Sequence, residues 1–177
     1  LVPARGIRQL SRRKQEDDPA RRRADAHLVL ASLQATRAWE QATCRRSAVK
    51  PLRELLWYVW EAPRLPGKLY RSKYPLSAPW TPAARAAYQL GGRVSLEHVL
   101  PSAVFVRRLL DSPPATPASL VRILNTISYV VITPEDNKLL NAAGVGWKLV
   151  DGSSDPWERY RGAGLNPSTF APIEPGT

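Results

Sequence analysis

One of the chain's two histidines, His98, follows an acid near the end of a short β-type run. Residues 93–105 read RVSLEHVLPSAVF, in which a strand ends in Glu97-His98 and Pro101 opens a helix. An acid–His pair at a strand end is where a metal-dependent phosphodiesterase would keep its base. Hydrolysing a phosphodiester needs a base that titrates near neutrality, which imidazole does. It also needs a cation on the leaving oxygen, and Mg²⁺ or Mn²⁺ takes carboxylate and amide oxygens. Asn137 and Asn141, a turn apart, supply amides further along. The plainer alternative is a structural pair, with His98 bonded to backbone and the two asparagines on a polar helix face.

These side chains depend on three elements. Residues 93–99 form one strand. Residues 128–132 (SYVVI) are β-branched and aromatic and read as a buried second strand. Residues 134–143 form a helix that Thr133-Pro134 starts and Gly144 closes. Two further helices, 101–110 and 117–127, lie between the strands. If the strands pair, the last helix crosses back over the first strand, and Asn137 or Asn141 then faces His98.

In this order the chain resembles the HNH, or ββα-metal, nucleases over residues 97–141. In that family the first strand commonly ends in an acid, a histidine, an aliphatic residue and, two positions on, a proline. Glu97, His98, Val99 and Pro101 fill those places. The resemblance implies His98 as general base, Glu97 as metal ligand, and Asn137 or Asn141 as the helical ligand. The chain departs from the family in three ways. It has no second histidine in the region. Asn125 is the one candidate for the asparagine expected between the strands. No CxxC pair is present.

The rest of the chain reads as helix, so the expected class is α+β, mainly α, with a two- or three-stranded sheet. Residues 1–6 (LVPARG) look like a vector scar, and residues up to 17 like a flexible basic arm. A helical basic region follows, 18–62. It holds a long helix over 19–46, with Leu28, Leu30, Leu33, Ala35 and Trp39 inward, and a second over 51–61. Residues 63–80 form a proline-rich connector. The α+β core spans 81–165. It includes a short helix at 81–90, a third short strand at 147–150 and a last helix at 155–161. The tail from 166 is expected to be loose. Thr81-Pro82 and Thr116-Pro117 mark helix starts, and Gly91 and Gly164 mark stops.

Charge is the second functional signal. The net charge is +11. Residues 1–73 hold 17 Lys+Arg against 7 Asp+Glu, a balance of +10, whereas residues 74–177 balance at +1. Charge concentrated in one part points to a polyanion. Arg21, Arg22 and Arg23 sit at a helix start, where cations oppose the helix dipole. Arg45 and Arg46 follow that helix. In the connector, Lys68, Arg71 and Lys73 interleave with Tyr70 and Tyr74, a pattern suited to single-stranded nucleic acid. Trp157, Arg159 and Tyr160 pack the last helix onto the body, and Arg159 and Arg161 are also phosphate candidates.

Other schemes find little footing. No Gly-rich phosphate loop, GxGxxG or GxSxG occurs. Cys44 is the single cysteine, so a disulfide within the chain or a Cys-rich zinc site is excluded. Cys44 and His27 stand roughly 25 Å apart on one helix, beyond hydrogen-bond reach. No apolar run suits a membrane span, and a cytoplasmic setting is expected. The expected function is nucleic-acid binding by an HNH-like, divalent-metal-dependent endonuclease with His98 as general base. The alternatives are a non-catalytic nucleic-acid-binding module and a protein that docks its basic helices on an acidic partner. DNA is favoured over RNA as the ligand, and a homodimer through the N-terminal helices is expected.

Overall fold

The computed structural model describes residues 18–43, 49–66 and 74–174. It has the expected class, mainly α with a small two-stranded antiparallel sheet. In chain order the elements are α1 (Pro19–Thr43), α2 (Val49–Leu56), α3 (Pro82–Gln89), β1 (Ser95–His98), α4 (Ser102–Asp111), α5 (Pro117–Leu124), β2 (Tyr129–Ile132), α6 (Pro134–Ala142) and α7 (Glu158–Gly162). A π-helical turn, Trp57–Glu61, continues α2.

Local chemistry sets these boundaries. Thr81, Thr116 and Thr133 each accept the backbone N–H three residues on, and each precedes a proline that has no N–H to orphan. Gly91, Gly144 and Gly164 close helices at φ of 71°, 70° and 78°, where a side chain would be strained.

Two packing units result. The first joins α1, α2, α4 and α5, with Val29 and Leu33 meeting Leu52, Leu56, Val106 and Leu120. The expected division at residue 81 therefore does not hold, because α4 and α5 belong to the N-terminal core. Their apolar stripes have no sheet face to cover, since β1 and β2 present only four residues each.

The second unit is the sheet and its cover. β1 pairs with β2 so that Leu96 faces Val131, Glu97 faces Val130 and His98 faces Tyr129. Side chains alternate along a strand, so Glu97, Val130 and Ile132 share one face, and Leu96, His98, Tyr129 and Val131 share the other. Leu140 of α6 and Tyr160 of α7 cover the first face. Trp80, just before α3, and Ala84 within it pack against Leu96 and Val131 on the second.

Three expectations are corrected. On α1, Leu30 and Leu33 are buried, but Leu28 and Trp39 are 51% and 42% exposed, and Ala35 is exposed as well. The inward stripe runs through Ala26, Val29, Leu30 and Leu33 at helical spacing, and Leu28 lies on the opposite side. Residues 147–150 form no strand, because the open edge of β2 is already taken. There Val131 N–H donates to Pro79 O at 2.9 Å, and Thr81 N–H donates to Val131 O at 3.0 Å. The described part of the tail, residues 166–174, packs rather than lying loose. Ala171 exchanges backbone hydrogen bonds with Trp80, and Phe170 packs on Trp157 and Tyr160. No described helix is long and apolar enough to cross a membrane.

Candidate functional site

His98 lies at the end of β1 on the α3 side of the sheet. Its Nε2–H donates to Glu61 Oε2 at 2.6 Å, and the side chain keeps 22% of its surface exposed. Tyr129, directly across the strand pair, donates its hydroxyl to the same Oε2 at 2.5 Å. The imidazole and the phenol pack at 5.1 Å between centroids. Glu61 itself is buried. It arrives there because the π-helical turn ends α2 with Trp60 in the helical core and Glu61 turned toward the sheet. The wider turn is closed by Ala62 N–H on Trp57 O. Burial and the adjacent carboxylate push the Tyr129 hydroxyl far above its ordinary pKa.

Glu97 points the other way. Its Oε1 accepts from Arg159 Nη2 at 2.9 Å. Arg159 is fully buried, and its guanidinium also donates to the carbonyls of Val145 (3.0 Å), His98 (2.9 Å) and Gly146 (2.8 Å). A charge so deep persists only when paired and hydrogen-bonded throughout, as this one is. Arg159 therefore fastens α7 to the end of β1 and does not contact phosphate. Arg161 is exposed and held by Asp155 and Glu158. Burial raises the Tyr160 hydroxyl pKa as well.

Asn137 and Asn141 are exposed on α6, whose Asp136 and Leu140 face inward. Asp136 Oδ2 accepts from Thr81 Oγ1 at 2.7 Å and from Thr133 N–H at 3.0 Å, which joins the starts of α3 and α6. Because α6 covers the Glu97 face, it lies across the sheet from His98. Glu97, His98, Asn137 and Asn141 therefore do not converge on one point. Among the described residues no group of three or more His, Cys, Asp or Glu side chains could hold a metal ion. The residues named by the HNH resemblance do not fit a shared divalent ion in this arrangement, although the β1–β2–α6 order itself is present.

Sequence reasoning did not single out Glu61, whereas it offered Arg159 both as a packing residue of the last helix and as a phosphate contact, and the buried guanidinium takes the first of these places. The one signal for Glu61 was position: an acid directly after the apolar stripe Leu52, Leu56 and Trp60, where the helix must enter the fold. For Arg159 the signal was its place between Trp157 and Tyr160 on the last helix.

Arg21 and Arg23 are exposed on the first turn of α1, which contains no acid. Arg64 is drawn inward: it lies 3.7 Å over the Trp60 ring and bonds Asp25 of α1 at 3.1 Å. Burial lowers its pKa, and Asp25 partly offsets that. Arg45, Arg46, Lys68, Tyr70, Arg71 and Lys73, together with Cys44, lie outside the described residues. His27 is an exposed helix-surface residue. Comparison with protein-family models, curated proteins and solved structures found no match.

Proposed function

We propose that this chain binds nucleic acid through its basic N-terminal half, as a non-catalytic module. The observation that carries the reading is the placement of charge. Residues 1–73 balance at +10 and residues 74–177 at +1. Arg21 and Arg23 stand exposed at the start of α1, where their repulsion with the helix dipole is met by one carboxylate, Asp18, which accepts from Ala20 N–H at 3.0 Å. A phosphate backbone would relieve it. DNA is the favoured ligand and a cytoplasmic setting goes with it. Affinity should fall steeply with salt as phosphates release counterions. The test is fluorescence anisotropy of duplex DNA over a salt series, comparing the wild-type chain with the Arg21→Glu, Arg23→Glu double variant.

A homodimer through α1 belongs to the same reading. Its outward face carries Ala24, Leu28, Ala31, Ala35, Ala38 and Ala42, all exposed, at alternating spacings of four and three. That is the spacing of a helix–helix seam, and a second copy would double the basic surface.

One observation favours a second reading, a nuclease. A buried carboxylate orients His98, as carboxylates orient catalytic imidazoles. In that reading His98 is the general base, and a divalent metal would need ligands beyond the four residues named above. Cleavage of plasmid DNA with Mg²⁺ or Mn²⁺ by wild type and by His98→Ala decides it. Equal activity of the two, or none from wild type, removes His98 from catalysis.

A further inference from the structure

We infer that the groove between α3 and β1 is a stacking site for one unpaired base of single-stranded nucleic acid. This inference rests on the nucleic-acid reading and adds a ligand form and a location to it. The groove holds about 410 Å³ and is lined by Tyr74, Tyr88, Gly91, Gly92, Arg93 and Val94. That volume falls in the range of small-molecule sites.

Its walls are aromatic and fixed from behind. Trp80 is fully buried and packs against both tyrosines, at 6.1 Å from Tyr74 and 5.0 Å from Tyr88. The Tyr74 hydroxyl donates to Val94 O at 2.8 Å, and Trp80 Nε1–H donates to Pro75 O at 3.2 Å. Tyr88 is braced on one side only and is 42% exposed. A ring already ordered and still accessible gives up little entropy when a base stacks on it.

Gly91 and Gly92 make the turn at the groove's floor, and a Cβ on Gly92 would lie 3.0 Å from Ala87 O. A Cβ on Gly91 would meet nothing within 4 Å, and its φ of 71° suits glycine. Among the described residues no carboxylate lines the groove. Arg93 is exposed and makes no ion pair or side-chain hydrogen bond among the described residues. A free guanidinium beside two phenol rings repels a cationic guest. It suits a planar ring joined to a phosphate, with the base on Tyr88 and the phosphate on Arg93.

The test uses the full chain and three labelled probes: oligothymidylate, an abasic strand of the same length and charge, and duplex DNA. Base stacking contributes about 1–3 kcal/mol per base, so wild type should prefer oligothymidylate to the abasic strand by roughly 5- to 150-fold. Tyr88→Ala should erase that preference and leave duplex binding unchanged, which also reports that the variant is folded. Tyr88→Phe should retain the preference. Arg93→Ala should weaken both single strands and flatten their salt slope by about 0.7. If Tyr88→Ala keeps the preference, or wild type binds duplex alone, the groove is not a base site while the broader reading stands. Should wild type bind none of the three probes, the broader reading fails and this inference fails with it.

Discussion

Glu97 and His98, consecutive in the chain, hold partners on opposite faces of the sheet. Glu97 Oε1 lies 2.9 Å from Arg159 Nη2 under α7, and His98 Nε2 lies 2.6 Å from Glu61 Oε2 at the end of the α2 helix and its π turn. The pair is thus a double fastener. It ties the last helix to β1 on one side and the helical unit to β1 on the other. Two of these four groups, Glu61 and Arg159, are buried, so removing either one's partner leaves a buried charge uncompensated and is costly.

Removing the carboxylate at position 61 leaves His98 and Tyr129 without their acceptor. Glu61→Ala should cost about 3–5 kcal/mol of unfolding free energy. Tyr129→Phe removes a single hydrogen bond to a charged group and should cost about 1.5–3 kcal/mol. Urea titration of both variants checks the order. A Glu61→Ala chain as stable as wild type would mean that the junction does not hold the two units together.

Arg159 has no neutral substitute that can fill five donor positions. Arg159→Met should lose about 3–5 kcal/mol, because Glu97 and several carbonyls are left facing an apolar side chain. Glu97→Gln should lose less, since an amide oxygen can still accept from the guanidinium. Thermal unfolding of the two variants measures the difference, and the opposite ranking would place the anchor elsewhere.

Stability should fall in alkali. The Tyr129 and Tyr160 hydroxyls are both raised above the ordinary tyrosine value, chiefly by burial. Each raised group favours the protonated native state. Its contribution is complete below about pH 10 and declines as the unfolded chain ionises above it. Per tyrosine the loss approaches about 1.4 kcal/mol for each further pH unit. Tyr129→Phe should start less stable at pH 7 and lose less between pH 10 and 11. Denaturant unfolding along a pH series reads both effects. Parallel curves for wild type and variant would contradict the assignment.

The apolar seam on α1 makes its own forecast. Leu28→Glu introduces a charge at a position 51% exposed in the single chain, so the fold should survive and any dimer should not. Sedimentation velocity should show wild type as a dimer and the variant as a monomer. A monomeric wild type ends the dimer expectation.

Helix boundaries were the most legible feature of the sequence, because Thr-Pro starts and glycine stops act within a few residues of where they are written. The pairing of β1 with β2 was legible too, as both runs had β-type composition. What local pattern could not convey was which face each side chain takes. A strand alternates, so the Glu97-His98 dipeptide alone separates its two side chains, and the register decides that α6 covers the Glu97 face. The inward face of α1 is hidden from local pattern for a related reason. Its outward stripe of alanine with Leu28 has the same periodicity as a core stripe, and a helix packed on one side shows no difference in spacing between its two apolar faces. The acceptor for His98 comes from 37 positions away through a π turn, which no local pattern announces.

The central claim is that exposed arginines at the start of α1 hold phosphate. It is tested most directly by the salt dependence of duplex DNA binding in wild type and in the Arg21→Glu, Arg23→Glu chain. Wild-type affinity should fall steeply as salt rises, and the variant should bind more weakly, with a log–log slope shallower by about 2. Equal affinity and equal slope in the two proteins, or no binding by wild type at low salt, would contradict it.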